Sequence, residues 1–255
     1  MHGRGRLHLV YTLQTIKAGV HSANMGRECS VLGVTVVIPT LNEERNIACV
    51  IKELRGIGFS DILVVDGNSR DKTADIVKEL GVELIFQNGR GKGDAVRQVF
   101  SCAVKGDTVV MMDADGSMNP KELISFIEAL KPDVDVVKGS RFMPGGFSED
   151  MTFLRKVGNL FFVVFVNLLS RTKYTDLCYG FAAFKREAVE RLFPCLRSKN
   201  FEIEAEIFIK AKKLDLKIVE VPSIELRRKN GKSNLRGFKD GYRILQTIIR
   251  ESLKI

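Results

Sequence analysis

The chain has 255 residues, of which 45% are hydrophobic and 28% charged, and its formal net charge is +9. This composition supports a buried core and excludes global disorder. No apolar stretch reaches the ~20 residues that a membrane-spanning helix needs, which excludes a multi-span transporter. Five cysteines without a CxxC pair favour a reducing cytoplasm over a disulfide framework or a zinc ribbon.

The basic residues are concentrated at the two ends of the chain. Residues 227–255 hold nine Lys or Arg against two Asp or Glu, and residues 1–32 hold four against one. Basic ends favour an anionic partner such as a membrane surface or phosphate groups. No nucleic-acid-binding signature accompanies them, so no nucleic-acid partner is predicted. All three histidines lie within the first 21 residues, which leaves carboxylates, basic groups and backbone to carry any chemistry beyond them.

Three segments are predicted along the chain. Residues 1–32 form an N-terminal extension that we expect to be disordered, with Met25 as an alternative start. Residues 33–225 form the main domain, and residues 226–255 form a basic loop followed by an amphipathic helix.

Short β-branched runs alternate with segments of helical periodicity from Val34 onward. Strands are predicted at 34–38, 62–65, 82–86, 108–112 and 134–137. Helices are predicted at 43–54, 71–80, 91–104 and 120–130, with Asn42 as the cap of the first. This alternation predicts an α/β fold with a mostly parallel sheet flanked by helices. After residue 145 we predict helices at 153–169, 201–214 and 238–252 and strands at 181–184 and 217–221.

Polar clusters follow four of these strands, at the edge where open parallel sheets bind ligands. Asp113 and Asp115 are two residues apart after the fourth strand, so their carboxylates lie on one side of an extended chain. They repel each other unless a cation lies between them, which suits Mg²⁺ or Mn²⁺ with substrate phosphates. A solvated turn is the alternative, and the position after a buried strand favours the cation.

The other strand ends allow two interpretations each. Asp66 could accept a hydrogen bond from a nucleobase N–H, or form a turn with Gly67. Glu44 could bind ribose hydroxyls, or stabilise the start of a helix through its charge. The Gly-rich turn that contains Lys92 could bind phosphate at a helix N-terminus, or carry solvated charge.

Taken in order, these four segments resemble the nucleotide-sugar half of family 2 inverting glycosyltransferases, which have the GT-A fold. The resemblance runs from Val34 to Arg250. Later segments are similar to the polyprenyl-phosphate (dolichyl-phosphate) hexose synthases; they are Lys138–Arg141, Thr175–Phe181, Phe201–Glu204 and Arg228–Ser233. The turn Arg90–Arg97 is closer to the glucosyl members than to the mannosyl ones.

The resemblance implies a role for each of several residues. The residues expected at the nucleotide are Pro39, Asn42, Glu44, Asp66, Lys92 and Asp113. Those expected at the Mg²⁺ or Mn²⁺ ion are Asp113 and Asp115. The expected catalytic residues are Asp176, Arg141, Arg155 and Arg228, and the acceptor phosphate is expected at Arg141, Arg155 and Ser233.

The resemblance implies metal-dependent transfer of a hexose from a nucleotide-diphosphate sugar to a polyprenyl phosphate, with UDP-glucose favoured and GDP-mannose possible. A phosphate monoester is already an anion and needs no general base. The alternative is a GT-A enzyme with a hydroxyl acceptor, for which Asp176 is the natural base. A pyrophosphorylase would place a Gly-rich loop where this chain has Pro39–Glu44. A non-catalytic nucleotide-binding module is disfavoured by the intact Asp113, Asp115 and Arg228.

A lipid acceptor needs an apolar surface near the site. Leu160–Val166 is a strongly apolar run that could lie at a membrane interface or could belong to the core. The basic C-terminal helix would face anionic headgroups. We therefore expect a peripheral protein on the cytoplasmic face of the membrane.

Overall fold

A seven-stranded, mostly parallel sheet organises the part of the chain that the structure, a computed structural model, describes. The described residues are 33–101, 106–231 and 233–253, so the expected disorder of residues 1–32 lies outside them. The strand order is β3-β2-β1-β4-β7-β5-β8, and a second sheet pairs β6 with β9. The strands are β1 Val34–Thr40, β2 Ile62–Asp66, β3 Glu83–Phe86, β4 Thr108–Met111, β5 Val136–Ser140, β6 Phe147–Ser148, β7 Ala182–Lys185, β8 Ile218–Pro222 and β9 Ile224–Glu225.

Eight α-helices lie in the described ranges. They are α1 Ile47–Gly56, α2 Thr73–Glu79, α3 Lys92–Ser101, α4 Leu123–Ala129, α5 Phe153–Ser170, α6 Arg186–Leu192, α7 Ile203–Lys213 and α8 Gly237–Leu253. The helices α1, α2 and α4 cover one face of the sheet, and α3, α6 and α7 cover the other, with α5 and α8 packed on α7. The central strands β1, β2 and β4 are almost entirely buried, which explains their nearly continuous apolar sequences.

The structure confirms the predicted α/β class and the mostly parallel sheet. Many element boundaries differ from the prediction by a few residues, and two of these differences bear on the site. Helix α1 begins at Ile47 rather than residue 43, and Asn42 is not its cap, because Asn42 has a left-handed backbone with φ of 55°. Strand β5 extends to Ser140, which lies opposite Pro222 of β8, whereas the prediction ended it at 137.

Strand β7 runs antiparallel to both of its neighbours, β4 and β5. It therefore separates the parallel group β3-β2-β1-β4 from the parallel pair β5-β8. Helix α6 and the short strands β6 and β9 were not predicted from the sequence.

Candidate active site

The ends of β1, β2 and β4 bring the first predicted site residues to one edge of the sheet. Thr40 lies opposite Asp66 in the register of β1 and β2, and Val37 lies opposite Met111 in the register of β1 and β4. Because all three strands run in the same direction, the loops that follow them meet at this edge.

Asp66 ends β2 and its side chain is completely buried. Its Oδ1 accepts a hydrogen bond from the Ser69 backbone N–H at 2.6 Å, while its Oδ2 has no hydrogen-bond partner in the described part of the chain. The loop is tight at Gly67, where an added Cβ would lie 3.3 Å from the Thr40 carbonyl oxygen. A buried carboxylate oxygen without a partner is costly unless a ligand donates to it.

The two adjacent glutamates after β1 point to different places. Glu44 Oε2 accepts from the Lys72 backbone N–H at 3.1 Å and so belongs to the contact between two loops. Glu43 is buried, and its Oε1 accepts from Arg228 Nη1 at 2.8 Å. The geometry therefore favours Glu43 over the predicted Glu44 as the carboxylate that faces the site.

Two other predicted residues, at the end of β1 and just after it, have structural contacts. Asn42 accepts from the Arg70 backbone N–H through its Oδ1 at 2.8 Å, which joins the β1 and β2 loops. Pro39 is partly buried in β1, where it lies opposite Val65. Both residues therefore shape this edge of the sheet.

Each of the two aspartates after β4 is paired with a cationic side chain. Lys92 Nζ lies 2.7 Å from Asp113 Oδ1. Arg228 Nη2 lies 2.9 Å from Asp115 Oδ2. Asp115 Oδ1 accepts from the backbone N–H and the hydroxyl of Ser117, at 2.9 and 2.7 Å. The structure thus brings together the predicted residues Lys92, Asp113, Asp115 and Arg228.

Both cationic side chains also contact a glutamate. Lys92 Nζ lies 2.7 Å from Glu204 Oε1, and Arg228 bridges Asp115 to Glu43. Burial opposes the charge of Lys92, but Asp113 and Glu204 raise its pKa above the ordinary value. Burial also opposes the charge of Arg228, and Asp115 and Glu43 raise its pKa. Both side chains are therefore charged at neutral pH.

The donor set suits a hard divalent ion. Asp113 and Asp115 offer carboxylate oxygens at the ligand-binding edge, and both already lie against positive charge. Among the residues that the structure describes, no group of three or more His, Cys, Asp or Glu surrounds a common point. Two carboxylates are what a Mg²⁺ or Mn²⁺ ion needs when substrate phosphates and water supply the remaining ligands.

Arg141 and Asp176 form a buried pair on the other side of β7. Arg141 Nε lies 2.7 Å from Asp176 Oδ2, and its Nη2 donates to Asp176 Oδ1 at 3.0 Å and to the Cys178 carbonyl at 2.9 Å. Its Nη1 donates to both oxygens of Glu225 at 3.1 Å. The side chain of Asp176 is fully buried. Burial raises the pKa of its carboxyl, but Arg141 outweighs this effect and the net pKa lies below the usual value.

This geometry does not support the prediction that Arg141 grips the acceptor phosphate. A guanidinium has five N–H donors, and each of those of Arg141 points to Asp176, Glu225 or Cys178. Glu225, which was not predicted, lies 84 residues from Arg141 in the sequence and has no local signal that connects the two. Arg141 thereby links Asp176, Glu225 and the Cys178 carbonyl to one another.

Arg155 and Ser233 lie apart from this pair. Arg155 is in the first turn of α5, half-buried, and its guanidinium has no hydrogen bond or ion pair to any described residue. Ser233 is exposed in the loop before α8, where its hydroxyl accepts from the Leu235 backbone N–H at 3.3 Å. Their contact with an acceptor phosphate stays a prediction.

Helix α5 presents an unusual apolar surface. It is long and apolar enough to cross a membrane by length and composition, and 17% of it is buried. Its 18 residues fall just short of the ~20-residue stretch used in the prediction from the sequence. Phe153 and Leu168, near its two ends, are 83% and 74% exposed, and Phe238 at the start of the adjoining α8 is 88% exposed. The predicted run Leu160–Val166 is thus only partly core, with Val163 and Val166 buried.

Comparison with known proteins is consistent with this arrangement. Glucosyl-3-phosphoglycerate synthase from Mycobacterium tuberculosis, solved with Mn²⁺, UDP and glucosyl-3-phosphoglycerate, aligns with a TM-score of 0.69 at 21% identity, over 88% of this chain and 82% of that one. The fold and the strand-end site define a glycosyltransferase of the GT-A class, as predicted. A family model, Glycosyl transferase family 2, matches residues 35–193. The chain belongs to this family.

Two relatives narrow the class. Dolichol-phosphate mannosyltransferase from Pyrococcus furiosus is 34% identical over 229 residues, which is 85% of this chain and 63% of the relative. UDP-N-acetylglucosamine–dolichyl-phosphate N-acetylglucosaminyltransferase from Methanococcus voltae is 31% identical over 237 residues, which is 83% of this chain and 94% of the relative. The predicted resemblance to dolichyl-phosphate hexosyltransferases is confirmed, and the two relatives differ in the sugar that their names give.

Proposed function

We propose that this protein transfers a hexose, with inversion, from a nucleotide-diphosphate sugar to a polyprenyl phosphate such as dolichyl phosphate. The observation that carries the proposal is the shared sheet edge, which holds both the unpartnered Asp66 oxygen and the Asp113 and Asp115 pair with its cations. Asp66 would receive the nucleobase N–H. Lys92 and Arg228 would meet the diphosphate. The similarity of the turn Arg90–Arg97 to glucosyl enzymes makes UDP-glucose the first donor to test and GDP-mannose the second.

Asp113 and Asp115 would hold a Mg²⁺ or Mn²⁺ ion, which neutralises the charge that develops on the departing diphosphate. Arg228 is placed to share this task, because its guanidinium already lies against Asp115. The remaining work of the protein is to hold donor and acceptor in line and to exclude water.

The state of Asp176 favours a phosphate acceptor over a hydroxyl acceptor. A general base must reach the acceptor proton with a free oxygen. Asp176 is fully buried and both of its oxygens accept from Arg141. A phosphate acceptor is already ionised and makes no such demand. We therefore assign Asp176 the task of orienting Arg141 and the segment around it.

We further propose that α5 and α8 rest on the cytoplasmic surface of the membrane without crossing it. Helix α5 is anchored to the protein, because Asn159 accepts from the Leu177 and Cys178 backbone N–H groups. Its opposite face is apolar and exposed, and exposed basic side chains such as Lys156 and Lys239 border this surface. This combination suits an interfacial helix that meets anionic headgroups.

The test is transfer of radiolabelled sugar into an organic-extractable lipid. Purified protein is incubated with Mn²⁺ or Mg²⁺, a polyprenyl phosphate and either UDP-glucose, GDP-mannose or UDP-N-acetylglucosamine. Label in the lipid phase with one donor supports the proposal, and the isosteric variant Asp115→Asn should lack it while keeping its circular dichroism spectrum. Metal-dependent release of nucleotide with no labelled lipid from any donor would favour the hydroxyl-acceptor alternative.

A further inference from the structure

Three separate segments of the chain converge on the contact between Lys92 and Glu204. Lys92 begins α3 after the Gly-rich turn, and Glu204 lies in the first turn of α7, where the helix dipole favours a carboxylate. The third segment contributes Gly180. An added Cβ at Gly180 would lie 2.8 Å from Glu204 Oε1 and 2.9 Å from Lys92 Nζ. A side chain at position 180 would therefore disturb this contact directly.

Lys92 is held equally by two carboxylates. Its Nζ lies 2.7 Å from both Asp113 Oδ1 and Glu204 Oε1, and its side chain is 11% exposed. The same pattern is repeated at Asp115, where Arg228 is shared with Glu43. Each aspartate of the pair is thus covered by a cation that has a second, buried carboxylate partner.

This arrangement has a consequence for the binding of a divalent ion. A cation on Asp113 competes with the ion for the same carboxylate, and the two positive charges repel each other. A buried ammonium cannot leave its partner without cost unless another carboxylate keeps it paired. Glu204 meets that need, because its Oε1 lies as close to Lys92 Nζ as Asp113 Oδ1 does.

We infer that Glu204 is a positioning residue that retains Lys92 and so frees Asp113 for the divalent ion. The inference rests on the proposed function, since it requires an ion at Asp113 and Asp115. Without the charge of Glu204, Asp113 would be the sole charged partner of Lys92 at this distance among the described residues, and Lys92 would hold it more tightly. Glu204 thereby sets the affinity for the ion without touching it, as residues around metal ligands commonly do.

The experiment measures Mn²⁺ binding in the absence of nucleotide, by the electron paramagnetic resonance signal of the free ion. Glu204→Gln keeps the size of the side chain, and we expect it to weaken Mn²⁺ binding by about 10- to 100-fold, the range found when residues that support metal ligands are changed. Glu202→Gln is the matched control, because Glu202 lies two residues earlier and accepts from the backbone N–H groups of Lys199 and Asn200. It should bind Mn²⁺ like the wild type.

A second pair of variants shows whether Glu204 acts by holding Lys92 or by attracting the ion directly with its own charge. Lys92→Met removes the competing cation and should bind Mn²⁺ at least as tightly as the wild type. In that background, Glu204→Gln should have no further effect. Unchanged Mn²⁺ affinity in Glu204→Gln, or an equal loss with and without Lys92, would overturn the inference.

The wild type and the variant Asp113→Asn distinguish this inference from the proposed function. If both bind Mn²⁺ equally, the ion does not use Asp113, and the metal site of the proposed function fails together with the inference. If only the wild type binds and Glu204→Gln matches it, the metal site stands and the inference alone fails. Thermal unfolding of each variant checks that the fold is retained.

Discussion

Asp66 provides the sharpest test of the proposed nucleotide site, because two properties of its variant should change in opposite directions. One oxygen of this fully buried carboxylate has no partner among the described residues. An unsatisfied buried polar atom costs about 1–3 kcal/mol. The variant Asp66→Asn keeps an oxygen for the Ser69 N–H and replaces the unpaired charged oxygen with an uncharged NH2 group, which is less costly to bury. We therefore expect its free energy of unfolding without ligand to be about 1 kcal/mol or more above that of the wild type.

The same variant should bind nucleotide less well. A hydrogen bond to a charged group contributes about 1.5–3 kcal/mol, so its loss should weaken binding of UDP or GDP by about 10- to 150-fold. Isothermal titration calorimetry gives the affinity, and urea unfolding gives the stability. Asp61→Asn is the control, because Asp61 precedes the same strand and accepts from the Thr35 hydroxyl at 2.6 Å. It should lose stability and keep its affinity. A destabilised Asp66→Asn with unchanged affinity would show that Asp66 merely anchors a turn.

Three further predictions test the second half of the molecule. Asp176→Asn should lower the free energy of unfolding by about 3–5 kcal/mol at pH 7, because it leaves Arg141 buried with fewer partners. Because folding lowers the pKa of Asp176, the loss of stability in the variant should be largest above the unfolded pKa of about 3.9 and should shrink below it. Urea unfolding of both proteins at pH 7 and pH 3 measures this loss. An equal loss at the two pH values would contradict the pairing. Arg155→Ala should raise the KM for polyprenyl phosphate about tenfold or more and leave UDP binding unchanged. The neighbouring variant Lys156→Ala is the control and should change neither quantity. An equal weakening of UDP and polyprenyl-phosphate binding in Arg155→Ala would contradict the assignment. Val164→Glu, at a position 59% exposed on α5, should abolish co-sedimentation with anionic vesicles without changing the melting temperature, and retained binding would argue against α5 as the membrane surface.

Much of the fold could be predicted from the sequence, because strands buried on both faces and the helices between them have distinct periodicities. The direction of β7 could not. A four-residue apolar strand reads the same in either direction, and its antiparallel pairing depends on partners 71 or more residues away in β4. The bounds of α1 were misjudged for a local reason, since Asn42 adopts a left-handed backbone that delays the helix.

The site was predicted best where its residues are close to the ends of strands. Lys92, Asp113, Asp115 and Arg228 come together as the resemblance implied. The choice between Glu43 and Glu44 could not be made, because both are acidic and the loop conformation alone decides which one turns inward.

The partners of Arg141 were equally inaccessible to sequence reasoning. Asp176 and Glu225 lie 35 and 84 residues from it. From the sequence, Arg141 was therefore expected to bind phosphate. In the folded chain its N–H groups donate to Asp176, Glu225 and the Cys178 carbonyl.

The antiparallel strand β7 divides the sheet into two parts, and the sequences of the two parts can change independently in evolution. Under the proposed function, the donor is handled by loops between Val34 and Ser117 and the acceptor by the chain after Ser140. Arg228 and Glu204 are exceptions, because they return from the second part to Asp115 and Lys92 in the first. New lipid acceptors could thus arise by changes after β5, provided that the segment around Arg228 is kept. Chimaeras joined between α4 and β5 would be the natural way to exchange specificities between relatives.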